Sequence, residues 1–302
     1  MAAQAYDIGS VVIIFLIVSR TFGQKRALLA CALYGFSPLP LIATSTYACF
    51  DSTAVFWMLA SILLMLDKKA FPSALALGIG TAFKYFPLLL LLPLLMRLSG
   101  KRTRILYFFT SIIVVVAIQL PFAFSDFSAW FYNVILFHVE RPVYGATIYN
   151  LLSLHPTLWG VQTPLIILSP ISLALIFLLI VFDGDRSEYA LLKQAALVMV
   201  TAVFFSKVVL FYALWFVPLI CTFVVAQRRR QFAYAFVSTV TLQVALLVAA
   251  YFYLVTLAES LMVLAMGYLY LLTSGLLLIW LLRDRLISAT NGMRFKRLRN
   301  SA

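Results

Sequence analysis

The feature that most limits this chain is its series of long apolar runs separated by short basic loops. The run 105–124 carries no charged residue, and 232–255 carries none either. A soluble fold has too little interior to hide several such runs. A bilayer supplies the missing solvent, and each crossing takes roughly 20 apolar residues. Composition agrees: 64% of the 302 residues are hydrophobic and 11% are charged. A lipid-exposed backbone must satisfy its own hydrogen bonds, so the runs are expected to be helices.

The pattern predicts an all-α polytopic membrane protein with about eleven membrane segments in a single transmembrane domain, 1–302. The predicted segments are 8–19, 27–46, 53–66, 71–83, 85–96, 105–124, 164–182, 191–206, 208–226, 232–255 and 260–282. Between the sixth and seventh lies a polar, aromatic stretch, 125–162, read as an external loop region. Several segments are shorter than a full span, as broken or re-entrant helices are.

Charge sets the orientation. If alternate loops share a side, starting with the loop of Arg20, Lys25 and Arg26, that side collects all but three of the 23 lysines and arginines. Lys84, Arg141 and Lys207 remain on the other side. Basic loops face the cytoplasm. The expected topology is therefore a cytoplasmic C-terminus and an external N-terminus, in a prokaryotic cell membrane. The net charge of +13 reads as this topology signal, not as a nucleic-acid surface. Met1 to Gly9 lack the basic start of a cleaved signal peptide. Cys31, Cys49 and Cys221 lack metal-ligand spacing and read as small packing residues. No metal site and no cofactor are expected.

Ionisable groups at membrane depth are candidates for function. Lys84 lies between two apolar helices in Ala82-Phe83-Lys84-Tyr85-Phe86-Pro87, where it can meet a phosphate as a point charge or simply snorkel at a helix end. Asp51 precedes the run from Thr53 and is either a helix N-cap or a carboxylate heading an external cleft. In the external stretch, His138, Glu140, Arg141, Tyr144, Tyr149, Asn150, His155 and Trp159 suit a carbohydrate or lipid head group. Arg141 has the fork to hold a phosphate oxygen pair. Trp130, Tyr132 and Trp159 read as interfacial belt residues. Lys207 opens a second turn, through Tyr212-Ala213-Leu214-Trp215-Phe216-Val217-Pro218. The scarcity of external cations motivates a shared anion site of Lys84, Arg141 and Lys207.

The order of these features resembles the GT-C superfamily of membrane glycosyltransferases. It is carried by Tyr6-Asp7-Ile8, Phe36-Ser37-Pro38, Phe50-Asp51, the Lys84 motif and the Lys207 turn, over about 6–218. The nearest resemblance is to prokaryotic polyprenyl-phosphate-mannose-dependent mannosyltransferases and to the first GPI mannosyltransferase. It implies inverting transfer of a hexose, mannose first among them, from a polyprenyl-phosphate carrier to an external lipid or glycan acceptor. It also implies an acidic general base in the first external loop and basic residues on the leaving phosphate. Lys84 and Lys207 carry over as phosphate contacts; Tyr85, His138 and Arg141 are further candidate substrate or phosphate contacts, Arg141 read from the external stretch itself and not from the resemblance. The family's first helix and first external loop belong before Tyr6. The expectation is that the base lies upstream, comes from a partner chain, or is replaced by Asp51. The alternatives are a transporter or flippase for a lipid or amphipathic solute, and a non-catalytic membrane subunit.

Overall fold

The computed structural model describes residues 2–45, 50–140, 167–205, 212–226, 238–239, 269 and 272–282. Among the described residues every regular element is helical. Helix α1 (Ala2–Phe22) is followed by α2 (Gln24–Gly35), α3 (Pro38–Ser45), α4 (Asp51–Leu66) and α5 (Ala70–Phe83). A 3₁₀ turn (Phe86–Leu90) leads into α6 (Leu91–Arg97), then α7 (Lys101–Ser125). A short α8 (Phe127–Phe131), a π turn (Tyr132–Leu136) and α9 (Phe137–Glu140) run on as one winding segment. Then come α10 (Leu168–Phe182), α11 (Glu188–Phe204), a 3₁₀ turn (Tyr212–Trp215), α12 (Val217–Val224) and α13 (Leu272–Leu282).

The breaks follow local chemistry. Gly23 stands between α1 and α2 with φ of 91°, a left-handed conformation that costs glycine no Cβ clash. Gly100, at φ of 90°, does the same before α7. The predicted segment 27–46 is two helices, because the chain turns at Phe36-Ser37 and restarts at Pro38. Proline has no N–H to give and suits the first position of a helix. The segment predicted over 85–96 begins as the 3₁₀ turn around Pro87. The first run, predicted as the short 8–19, is a 21-residue helix. The region read as an external loop opens with helical residues 127–140; the rest of it, 141–162, lies outside the described residues. The run 232–255 lies almost wholly outside them too.

Helices α1, α4, α5 and α7 pack side by side in that order, with α2 on α1. Small residues set their spacing, as is usual between membrane helices. A Cβ on Gly78 would stand 2.7 Å from the Ser111 carbonyl oxygen and 2.7 Å from Val114 Cβ, so α5 and α7 touch there. Ser73 Oγ donates to the Ser61 carbonyl at 2.7 Å and meets Tyr107 Oη at 3.0 Å, tying α5 to both neighbours. Helix α11 is buried along nearly its whole length and packs on α10 and α12. At one end of the bundle, Arg20 of α1 pairs with Asp67, just past α4, while Lys69 approaches the same carboxylate at 3.9 Å.

Two described helices, α1 and α7, are long and apolar enough to cross a bilayer, and six shorter apolar helices accompany them. Ile105, Leu106, Phe109, Ile113 and Val116 are all exposed on α7, with Ile113 at 62%. A face of such residues is costly in water and at home against lipid tails.

Candidate active site

The site forms where three chain breaks meet: the start of α4, the end of α5, and the 3₁₀ turn before α12. Asp51 is the first residue of α4. Its side chain does not cap that helix, so the N-cap alternative is set aside; Phe50 holds the cap position without a side-chain bond. Instead the carboxylate turns inward, and the residue is only 2% exposed.

Lys84 follows α5 in an extended conformation, φ −158° and ψ 138°. A cation suits the negative end of a helix. Its Nζ donates to Asp51 Oδ1 at 2.8 Å and to Oδ2 at 2.7 Å. Trp215 Nε1 donates to the same Oδ1 at 2.7 Å. Both oxygens of a buried carboxylate are thereby engaged by charged or aromatic donors, the condition under which such a charge is tolerated.

Stacked rings fix the Trp215 indole. Phe86 lies parallel to it at 4.2 Å between centroids, and Tyr212 stacks at 4.1 Å. Tyr85 meets it edge-on at 5.9 Å and meets His138 at 5.1 Å. Lys84 Nζ lies 5.4 Å from the Tyr212 ring centre, within reach of its negative face. The side chain of Lys84 keeps 27% exposure, against 3% for Asp51. The ammonium is thus held from behind by the carboxylate and is reached from the front.

The front is a cavity of about 670 Å³ between α5, α7 and residues 127–138. Lys84, Tyr85 and His138 stand on its wall, with Leu88, Val116 and Leu120 among the apolar residues. Its size suits a drug-sized ligand with a few polar contacts. Among the described residues Lys84 is the one Lys or Arg on its wall, and the largely apolar lining matches an amphipathic ligand with an anionic group.

Four of the expected site residues, Asp51, Lys84, Tyr85 and His138, come together here. Arg141 and Lys207 lie outside the described residues, as does His155. Asp7 is half-buried on α1 and accepts a 2.6 Å hydrogen bond from Tyr34 Oη. Asp126 caps α8 by accepting from Ala129 N at 2.9 Å.

Three residues were missed from sequence. Trp215 and Tyr212 sit in the recognised turn, but nothing in the motif says that the indole reaches Asp51, 164 positions away. Gln119 is the third. Its Nε2 donates to the Ala82 carbonyl at 2.7 Å, and its Oε1 accepts from Trp130 Nε1 at 2.8 Å. Trp130 therefore faces inward instead of serving only as a belt residue. The available signal was a lone amide within the uncharged run 105–124. Among the described residues no cluster of histidine, cysteine or acidic side chains has the makings of a metal site.

The family model described as glycosyltransferase family 87 matches residues 1–207 of the chain. No curated protein matches it.

Proposed function

We propose a reaction for a chain that belongs to glycosyltransferase family 87: transfer of a hexose, mannose first among the candidates, from a polyprenyl-phosphate carrier to an external lipid or glycan acceptor. Family membership makes it a membrane glycosyltransferase with a sugar donor and an acceptor. The identity of the donor is the proposed step. The observation that carries it is the Lys84 ammonium, anchored by buried Asp51 and presented to a cavity whose other walls are largely apolar. A nucleotide-sugar donor would ask for many more polar contacts. A single phosphate on an isoprenoid asks for one cation and an apolar wall.

In this reading an acceptor hydroxyl attacks the anomeric carbon from the side opposite the carrier. The bond between that carbon and the phosphate oxygen breaks, and the configuration inverts. The hydroxyl proton passes to a general base. Lys84 faces the phosphate as its charge grows, and a fixed cation in a dry site is effective at that task. Tyr85 and His138 line the same wall and would contact the phosphate or the sugar. Arg141 and Lys207 remain proposed phosphate contacts by virtue of the sequence alone. Asp51 keeps a proposed role in a narrower form. Both of its oxygens are engaged, so it is proposed to hold Lys84 in place; receiving the acceptor's proton would first require one of those bonds to open.

The eleven-span topology, with the N-terminus outside and the C-terminus inside, belongs to the same proposal. Labelling of single introduced cysteines from each side of the membrane tests it.

The activity test uses the purified protein in lipid nanodiscs. Labelled polyprenyl-phosphate mannose and glucose, and the matching nucleotide sugars, are each supplied with an extract of membrane lipids and glycans as acceptor. Transfer from the lipid-linked sugar, lost in a folded Lys84→Met variant, is the expected result. Transfer from the nucleotide sugar alone would overturn the donor assignment.

A further inference from the structure

We infer that Gln119 is a positioning residue: it ties the segment 127–140 to the end of α5, and so sets the place of Lys84 and the closure of the cavity. The inference rests on the donor reading above for its kinetic half and on geometry alone for its structural half.

The last carbonyls of a helix have no partner within it. Lys84 N donates to the Gly80 carbonyl at 3.1 Å, which satisfies one of them. The Ala82 carbonyl, two residues before Lys84, is taken by the Gln119 amide at 2.7 Å. An unmet carbonyl beside lipid costs far more than one in water, so this bond fixes the geometry of the chain as it enters Lys84. Gln119 is held in turn: its oxygen accepts from Trp130 of α8 at 2.8 Å. One side chain on α7 thus clamps two other elements, and all three border the cavity.

Besides the Gln119 bond, the segment 127–140 meets Tyr85 through His138, while several of its large side chains face outward. Phe127, Phe131, Tyr132 and Phe137 are all exposed, Phe127 at 64%. Its own regularity is broken by the π turn over Tyr132–Leu136, a feature often found at functional sites. Residues 134, 135 and 138 of this segment form one wall of the cavity. Releasing Gln119 would therefore loosen the wall and the Lys84 corner together. Ground-state binding of a donor should suffer from that, with less effect on turnover of the bound complex.

The test uses the full chain in nanodiscs with Gln119→Leu, Gln119→Glu and Trp130→Phe. Trp130 emission is isolated by subtracting the matching Trp130→Phe protein, and its quenching by iodide is measured. In Gln119→Leu the quenching should rise severalfold. The KM for the lipid-linked sugar should rise about tenfold, the size expected for one to two lost hydrogen bonds, with kcat within about twofold. Gln119→Glu retains an acceptor for Trp130 but has no amide N–H for the Ala82 carbonyl, so it should recover most of the quenching and little of the KM. Trp130→Phe should raise KM in the same direction by a smaller factor. Unchanged Trp130 quenching in a folded Gln119→Leu protein would overturn the inference, as would a loss confined to kcat. If the unaltered protein neither binds a polyprenyl phosphate nor transfers from its sugar ester, the donor reading fails. The quenching comparison then decides the clamp by itself.

Discussion

Removing the Asp51 carboxylate tests the centre of the site most directly. Asp51→Asn keeps an oxygen for the Trp215 indole but turns an amide N–H₂ or a neutral oxygen toward Lys84. Breaking a buried ion pair from one side typically costs about 3–5 kcal/mol. Lys84 is 27% exposed and can swing into the cavity, so the expected loss is at or below the bottom of that range. A figure of about 2–3 kcal/mol follows, counting hydrogen bonds to charged groups at about 1.5–3 kcal/mol. Lys84→Met should cost more, about 3–5 kcal/mol, because it strands a carboxylate that is 3% exposed with Trp215 alone. The double variant removes both charges and should recover about 2 kcal/mol of the summed losses. Thermal unfolding in detergent micelles reads this out. A loss of 2–3 kcal/mol corresponds to a fall of roughly 4–12 °C in Tm for chains of a few hundred residues. Additive single losses would refute the idea that the two residues act as one buried unit. A fully stable Asp51→Asn protein would refute the energetic role of the carboxylate altogether.

Other outcomes follow from the same geometry. Trp215→Phe keeps a ring between Phe86 and Tyr212 but loses the donor to Asp51; thermal unfolding should register about 1–3 kcal/mol, with sugar transfer reduced but present. Gly78→Val places its new carbons against Val114 and the Ser111 carbonyl, 2.7 Å from the position of Cβ; overpacking of about 1–3 kcal/mol should lower Tm, and Gly78→Ala should do so less. Tyr34→Phe takes away the hydrogen bond to half-buried Asp7 and should cost about 1–3 kcal/mol, while Asp7→Asn should be milder because it keeps an acceptor for Tyr34. Alkaline carbonate should leave the chain in the membrane pellet, as expected for apolar faces such as that of α7.

The sequence by itself determined the solvent and the class of structure. Uncharged runs such as 105–124 can be accommodated only where lipid or protein covers them, and lipid forces helices. It also pointed to the break after α5, since Lys84 next to Tyr85-Phe86-Pro87 interrupts an apolar pattern with a charge and a proline. It did not resolve the ends of the elements. Helix α1 extends beyond its apolar stretch at both ends, and Asp7 in the added N-terminal part is satisfied by Tyr34 of α2, a tertiary bond that hydropathy does not register. Asp51 shows the limit most clearly. Its place before a helix made it equally a cap and a cleft carboxylate, and local rules had no means to choose. Only packing brings Lys84 from 33 positions away and Trp215 from 164. Once both donors reach a buried carboxylate, capping α4 is no longer its best use. Gln119 follows the same logic. An amide inside an apolar run must find partners, which the sequence announces; that the partners are Ala82 and Trp130, both lining one cavity, is decided by how α5, α7 and α8 cross.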